Sequence, residues 1–483
     1  MNNLESNQTK IFINPAQVIN TMKGGIGASW HALSKEFPLN NEKYDYPVRF
    51  INPRGSGYAG NPPVNDEPAW EQISYHAKWL GLNFIRVELS QHMYEPERNL
   101  FDWNNDEMLA LYKILDWCET NRADVFLQQL WRHVEWNAYP GVHPLLSAPY
   151  SIEDFANGIA ILLDYLINKR GYSCIKYFCI TNEPPGGTWG YWWSYGSYSG
   201  SITQALKKVR ETLNEKGINI PLSGPDWTDL PPLDENKIDF DTYLGAYDIH
   251  SYKGIDLDGE KIISDWVKWA HDHNKPFFLT ELGNMNLGWG NSDAGPRSFA
   301  ASLSNASDII TGLNLGVDGF NRWSFTNRGN LDGQWQLIRT WDIDEKCYLK
   351  NILPENSAYY GFAVISRFLG KYSKILKLDF ENNPAGIKAA AVLNKNNQLS
   401  IFLVNTAEEN SIINLKITEI DERRIFYLYQ IDEETVSDKS FELNSIKELK
   451  ELNKEQQISL KAKSITTISD LNLSNSDFGI IEK

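Results

Sequence analysis

Cysteine is scarce in this chain, with four residues in 483, at positions 118, 174, 179 and 347. They form no CxxC pair and no other metal-ligand spacing, and their apolar or helical context reads as reduced core residues. Positive charge is also short. Lys and Arg total 46 against 62 Asp and Glu, a formal net charge of -16. A nucleic-acid partner needs a concentrated basic face, and none is visible, so no nucleic acid is expected. No apolar run reaches the roughly 18 residues needed to cross a bilayer, so no membrane partner is expected either. The first ten residues are polar and lack the apolar core of a signal peptide. The chain as it stands is therefore expected to be cytoplasmic, or secreted if a leader has been removed. No metal and no organic cofactor is implied. Internal repeats and low-complexity segments are absent.

What the chain does have is aromatic rings: 13% of residues, including 17 Trp and 23 Tyr. Flat apolar faces with a polar edge are what sugar rings stack on, although any single ring serves core packing equally well. Length and 42% hydrophobic content allow one large domain and a smaller one.

From about residue 20 to 345, apolar strand-like runs alternate with amphipathic helical segments, the pattern of a parallel sheet covered by helices. Eight strand candidates fall at residues 24–29, 83–89, 124–130, 177–183, 220–224, 246–251, 276–281 and 319–324. Eight closes a (β/α)8 barrel. Helices are expected over 69–80, 105–121, 152–169, 201–216, 258–274 and 297–315, several opening on a capping residue such as Ser151. The long stretch 30–68, rich in Pro, Gly and Asn, reads as a rim loop.

All 17 tryptophans precede residue 342, and from about residue 372 short alternating strands such as 398–404 take over. The expected fold is α/β, a (β/α)8 TIM barrel over residues 20–355 followed by a smaller all-β sandwich over 356–483, to which residues 1–19 add a strand.

Two strands share one design. Tyr177-Phe178-Cys179-Ile180-Thr181-Asn182-Glu183-Pro184-Pro185 runs apolar into a carboxylate and then two prolines, and Pro276-Phe277-Phe278-Leu279-Thr280-Glu281-Leu282-Gly283 runs apolar into a second carboxylate. Prolines cannot continue a central strand, so Glu183 belongs where strand becomes loop, the rim on which barrel enzymes keep their chemistry. Cleaving an acetal takes a proton for the leaving oxygen and an anion on the opposite face of the developing oxocarbenium ion, which two carboxyl groups supply. On the fourth and seventh strands, Glu183 and Glu281 would face one another across the mouth. Arg86, inside the second strand, is a fixed cation suited to keeping Glu281 ionised.

Thr181-Asn182-Glu183-Pro184 and Thr280-Glu281-Leu282-Gly283 resemble the acid/base and nucleophile signatures of the clan A retaining glycoside hydrolases, and the barrel-plus-sandwich plan is similar to their families thirty, thirty-nine and five. Arg86 in Phe84-Ile85-Arg86-Val87, His250-Ser251-Tyr252 on the sixth strand and Trp323 on the eighth agree with that resemblance. It implies that Glu183 is the acid/base and Glu281 the nucleophile. It further implies that Tyr252 hydrogen-bonds the nucleophile, Asn182 meets the sugar 2-hydroxyl and Trp323 floors the subsite of the cleaved sugar.

Further candidate substrate contacts follow the strands: Trp131 and His133 after the third, Trp189 and Trp192 in the aromatic cluster after the fourth, Trp227 after the fifth and Trp289 after the seventh. Glu88, Glu95 and Glu135 are rival carboxylates suited to ion pairs or sugar hydrogen bonds. The expected activity is hydrolysis of O-glycosidic bonds in oligosaccharides or glycosides, with carbohydrate as the partner. The alternative is a non-catalytic carbohydrate-binding barrel, which would bind sugar without turning it over.

Overall fold

The computed structural model describes residues 9–32, 61–131, 134–142, 144, 147–184, 199–288, 295–327, 334–342, 344–345, 347–382 and 385–480. The chain opens with β1 (Thr9–Thr21), which belongs to a second sheet, and then enters the barrel through β2 (Ile26–Ala28) and β3 (Trp30–His31). The remaining barrel strands are β4 (Phe84–Ser90), β5 (Asp124–Trp131), β6 (Ile175–Cys179), β7 (Leu222–Trp227), β8 (Ala246–Ser251), β9 (Phe277–Leu282) and β10 (Gly319–Arg322). They lie in the order β2-β10-β9-β8-β7-β6-β5-β4-β3. β2 and β3 are successive pieces of one extended segment. Its first piece pairs in parallel with β10 and its second with β4, so the two ends of the sheet are one stretch of chain and the ring closes. All eight expected strands are present. The fourth is shorter than expected: its ladder stops at Cys179, leaving residues 180–183 to lead into the mouth.

Five of the barrel helices are started by a capping side chain. α1 (Glu67–Trp79) is capped by Asp66, α3 (Asp106–Thr120) by Asn105, α4 (Ile152–Leu163) by Ser151, α6 (Leu257–Asp272) by Asp256 and α7 (Phe299–Leu315) by Ser298, each oxygen accepting a first-turn amide. The short α2 (Gln91–Tyr94) follows β4, and α5 (Ser199–Glu215) follows β6. The barrel floor is plugged by Phe84, Phe126, Cys179, Ala246 and Phe278, with the Phe84 and Phe278 rings 4.9 Å apart. Gly27 permits this closure, since a Cβ there would meet the Phe84 carbonyl oxygen at 1.9 Å. A filled floor confines any chemistry to the opposite, carboxyl-terminal mouth.

Two register shifts near that mouth aim the side chains. Ile249 pairs with Leu279 but His250 pairs with Glu281, so Thr280 is an extra residue on β9. Likewise Pro225 pairs with Asp248 but Trp227 with Ile249, so Asp226 is extra on β7, with φ +60°. A bulge bends the strand and breaks its in-out alternation, and Asp tolerates the left-handed region better than most residues.

After the barrel come a hairpin of β11 (Ile338–Asp342) and β12 (Cys347–Pro354), helix α8 (Asn356–Ser366), strands β13 (Lys374–Glu381), β14 (Ile387–Leu393), β15 (Leu399–Asn405), β16 (Ser411–Ile417) and β17 (Phe426–Ile431), helix α9 (Glu433–Ser437), and strands β18 (Lys447–Leu449), β19 (Gln456–Leu460) and β20 (Ser464–Ser469). Nine strands form one sheet in the order β18-β17-β20-β15-β14-β13-β1-β16-β19. β1 enters between β13, antiparallel, and β16, parallel. Strands from both ends of this sheet, through Phe426 and Ile458, bury side chains in one cluster with Ile11, Leu376 and Ile401, so the sheet folds over its own core as a sandwich. Its other face continues the barrel core: Ala390, Phe402 and Tyr429 join the same cluster as Ile309 and Phe362. Asn314 Nδ2 donates to the Ala389 carbonyl at 2.8 Å and Lys388 Nζ to Thr311 Oγ1 at 2.7 Å across that contact. Cys118, Cys174 and Cys179 are buried thiols as expected, but Cys347 is exposed, because it sits on the hairpin rather than in the core. Among the described residues no helix is long and apolar enough to cross a membrane.

Candidate active site

Glu183 sits just past the end of β6 with φ +43°, a conformation that costs on the order of 1 kcal/mol or more for a non-glycine residue and has to be held by its surroundings. The holder is Asp226. Its Oδ2 accepts the Glu183 amide at 3.0 Å and Gln128 Nε2 at 2.9 Å. Its Oδ1 lies 3.0 Å from His250 Nε2, and the other ring nitrogen, Nδ1, is 2.7 Å from Glu183 Oε1. His250 is fully buried. Burial alone would weaken its hold on a proton, but the charges of Glu281 and Asp226 and the hydrogen bonds to Asp226 and Glu183 push its pKa well above the usual histidine value. With a carboxylate oxygen at each nitrogen, the ring is an imidazolium that donates both ways.

Glu281 is reached from three sides. Arg86 Nη1 is 2.7 Å from its Oε1, the Tyr252 hydroxyl donates to Oε2, and His250 Nδ1 is 3.4 Å from Oε2. Burial pushes the Glu281 carboxyl up from its usual value, Arg86 and His250 pull it back, and Glu183 and Glu88 raise it again. Burial works against the Arg86 guanidinium as well, yet Glu281, Glu88 and Asp226 together raise its pKa above the ordinary arginine value. Arg86 also donates to Glu88 through Nη1 and to Asn182 Oδ1 through Nη2 at 2.8 Å. Gln128 Nε2 lies 3.2 Å from the same Asn182 oxygen. One carboxylate oxygen each from Glu183 and Glu281 and one ring nitrogen of His250 all lie within 4.8 Å of one another.

Trp323, just beyond β10, closes one side. The Arg86 guanidinium carbon lies 5.6 Å from its ring centre, and the His31 ring meets it edge-on at 5.0 Å. His31 in turn bonds Glu88. Arg322 fixes the Trp323 main chain by donating to the carbonyls of Trp323 at 3.2 Å, Trp335 at 2.6 Å and Pro296 at 3.1 Å. Trp335 packs edge-on to Tyr252 at 5.4 Å. Gly283 leaves room for both, since a Cβ there would stand 2.8 Å from the Trp335 ring and 3.1 Å from Tyr252.

The structure thus brings Arg86, Asn182, Glu183, His250, Tyr252, Glu281 and Trp323 together. It does not bring Trp227 with them. Because Asp226 occupies the bulge and turns into the barrel, Trp227 points to the helix layer, with its ring 6.3 Å from Phe240 and 6.1 Å from Trp266. His133, Trp189, Trp192 and Trp289 lie outside the described residues, as does the Trp131 side chain at the end of β5. Glu88 is buried between Arg86 and His31, whereas Glu95 bonds Gln91 at 3.0 Å and the Asn99 amide at 3.2 Å. Asp226, Gln128, His31 and Trp335 were not singled out from sequence for this site. The available signals were slight: an acid directly after Gly-Pro at a strand end, and a Gln pair inside an apolar strand.

Chemically, the mouth offers two carboxyl groups at bonding reach of one substrate atom, a cation on each side of one of them, and an aromatic wall. Glu183, His250 and Glu281 form one of two groups of three possible cation ligands among the described residues, the other being Cys179, Asp226 and Asp248. A doubly protonated imidazole offers a metal no lone pair, and Arg86 already supplies positive charge to Glu281.

The sequence matches the cellulase family, glycosyl hydrolase family 5, over residues 43–309. No curated protein matches it by sequence. Solved structures share its fold. The glycoside hydrolase family 30 subfamily 8 xylanase Xyn30A from Clostridium acetobutylicum is 14% identical, with a TM-score of 0.62 over 95% of this chain and 99% of that one. The catalytic domain of a family 30 xylanase C from Talaromyces cellulolyticus is 14% identical, with a TM-score of 0.63 over 95% and 99%. A family 39 beta-xylosidase from Caulobacter crescentus is 10% identical, with a TM-score of 0.60 over 95% and 99%.

Proposed function

The chain belongs to the cellulase family, glycosyl hydrolase family 5, and from that premise we propose that it is a retaining β-glycosidase in which Glu183 is the acid/base and Glu281 the nucleophile. The observation that carries this reading is the approach of the two carboxyl groups, with an oxygen of each inside 4.8 Å of the other. Retaining enzymes hold their pair about 5–5.5 Å apart, whereas inverting ones leave roughly 6.5–9.5 Å for a water between them.

In the first step Glu183 gives its proton to the glycosidic oxygen as the C1–O bond breaks, and Glu281 attacks C1 from the opposite face to form a glycosyl ester. The alcohol leaves. In the second step Glu183, now a carboxylate, takes a proton from water as that water attacks C1 and releases Glu281. Two inversions restore the starting configuration. Arg86, Tyr252 and His250 support the Glu281 carboxylate whenever it is free, a fixed arrangement of donors that needs no reorganisation during reaction. Asn182 has its oxygen committed to Arg86 and Gln128, which leaves its amide nitrogen to donate to the sugar beside C1. Trp323 offers that sugar an apolar wall.

The substrate class proposed is oligosaccharides or simple glycosides with a β-linkage. A panel of aryl β-glycosides tests the reading: wild-type protein hydrolyses at least one of them, and Glu183→Gln and Glu281→Gln each remove that hydrolysis with the melting transition intact. Full activity in either variant contradicts it, and sugar binding without turnover in the wild type supports a non-catalytic barrel instead.

A further inference from the structure

Asp226 is linked to Glu183 twice, directly through the Glu183 amide and indirectly through His250. It is fully buried. Oδ2 receives the Glu183 amide at 3.0 Å, which holds the φ +43° backbone from which the Glu183 side chain departs. Oδ1 receives His250 Nε2 at 3.0 Å, and His250 Nδ1 then reaches Glu183 Oε1 at 2.7 Å. Beneath it lies Asp248, whose oxygens accept Ser223 Oγ at 2.6 Å and Thr280 Oγ1 at 2.9 Å. Burial and the neighbouring Asp226 charge push Asp248 up to about 8, so Asp248 keeps its proton near neutral pH.

We propose that Asp226 is a positioning residue for the acid/base, acting through His250 and the Glu183 main chain to decide which Glu183 oxygen carries the proton delivered to the leaving group. Asp226 holds the imidazole with an N–H on both nitrogens. The Nδ1–H occupies Glu183 Oε1, so the Glu183 proton resides on Oε2, the oxygen free to face a substrate. An uncharged residue at 226 removes one of the two charges that favour the doubly protonated His250, leaving only that of Glu281. A neutral His250 with its proton on Nε2 becomes an acceptor at Nδ1 and draws the Glu183 proton onto Oε1, away from the glycosidic oxygen. The inference rests on Glu183 being the acid/base.

Leaving-group dependence separates this role from a structural one, because only a leaving group of poor quality needs the proton. The full-length enzyme is assayed by kcat/KM on two aryl glycosides of the sugar it cleaves, the 2,4-dinitrophenyl and the phenyl, and the ratio of the two is compared among wild type, Glu183→Ala and Asp226→Asn. General acid catalysis is worth roughly 10²–10⁴-fold, so Glu183→Ala raises the dinitrophenyl-to-phenyl ratio by about that factor, and Asp226→Asn raises it by about 10-fold or more. An unchanged ratio in Asp226→Asn, whatever the overall loss, overturns the positioning role. An unchanged ratio in Glu183→Ala overturns the acid/base assignment instead, so the two failures are distinct. If Asp226→Asn does not fold, Asp226→Ser, smaller and still uncharged with an acceptor, is judged by the same ratio.

Discussion

His250 Nδ1 lies 2.7 Å from Glu183 Oε1, and the same nitrogen lies 3.4 Å from Glu281 Oε2. One buried cation therefore reaches both carboxyl groups. Replacing it by Gln keeps a donor but removes the charge. His250→Gln is predicted to lower kcat/KM by about 10²-fold, the usual size for one preorganised group at a reacting centre. Steady-state kinetics on the best aryl glycoside, beside a melting curve, check this.

Arg86 is predicted to set the acid limit of activity. A nucleophilic Glu281 must be ionised, burial raises its pKa above the ordinary 4.5, and Arg86 is the first group pulling it down. Arg86→Lys keeps a charge but loses the fork that reaches Glu281, Glu88 and Asn182 together. As pH falls, activity disappears through the Glu281 pKa. The variant is therefore predicted to lose kcat/KM at higher pH than wild type, with its acid limb moved up by roughly one unit. A pH profile whose acid limb stays in place contradicts this.

Most of the fold was legible in the sequence because parallel strands buried on both faces are continuous apolar runs, and because five helices carry their own capping side chains. Glu183 and Glu281 were legible for the same reason, as single charges ending such runs. What could not be read was register. Asp226 and Trp227 are neighbours, and which of them faces the barrel interior is decided by the bulge opposite Pro225 to Trp227, a property of the pairing with β8 rather than of β7 alone. The ring is joined by a segment split between two neighbours, Ile26–Ala28 against β10 and Trp30–His31 against β4, which a single-strand pattern does not reveal. That split is what brings His31 to Glu88.

Gly283 is predicted to be a specificity of space rather than of backbone freedom. Its missing Cβ would sit 2.8 Å from the Trp335 ring and 3.1 Å from Tyr252, so Gly283→Ala must push Trp335 or the Tyr252 hydroxyl off its place on Glu281. The expected result is a fall in kcat/KM of about 10-fold or more with a modest change in Tm, since a displacement near 1 Å at a reacting group costs up to about 10²-fold.

Away from the mouth, Asp308 on α7 is fully buried; one oxygen accepts the Ile255 amide at 2.9 Å, and the other finds no partner among the described residues. Burial pushes its pKa up to about 7 from 3.8. The folded chain therefore binds a proton there that the unfolded chain has already lost, and the stability this contributes falls as pH rises from about 4 to about 7. Asp308→Asn stays neutral throughout. The Tm difference, variant minus wild type, is predicted to move in the variant's favour between pH 5 and pH 8.5, and a difference independent of pH would count against the buried acid.

The most direct test of the double-displacement account is to trap its intermediate. The enzyme is incubated with the 2,4-dinitrophenyl 2-deoxy-2-fluoro-β-glycoside of the sugar it cleaves, digested, and read by mass spectrometry. The account predicts one fluoro-sugar added per chain, on the peptide that carries Glu281, and no such adduct in Glu281→Gln. An adduct on any other residue, or turnover of the parent glycoside with inverted product and no adduct, contradicts it.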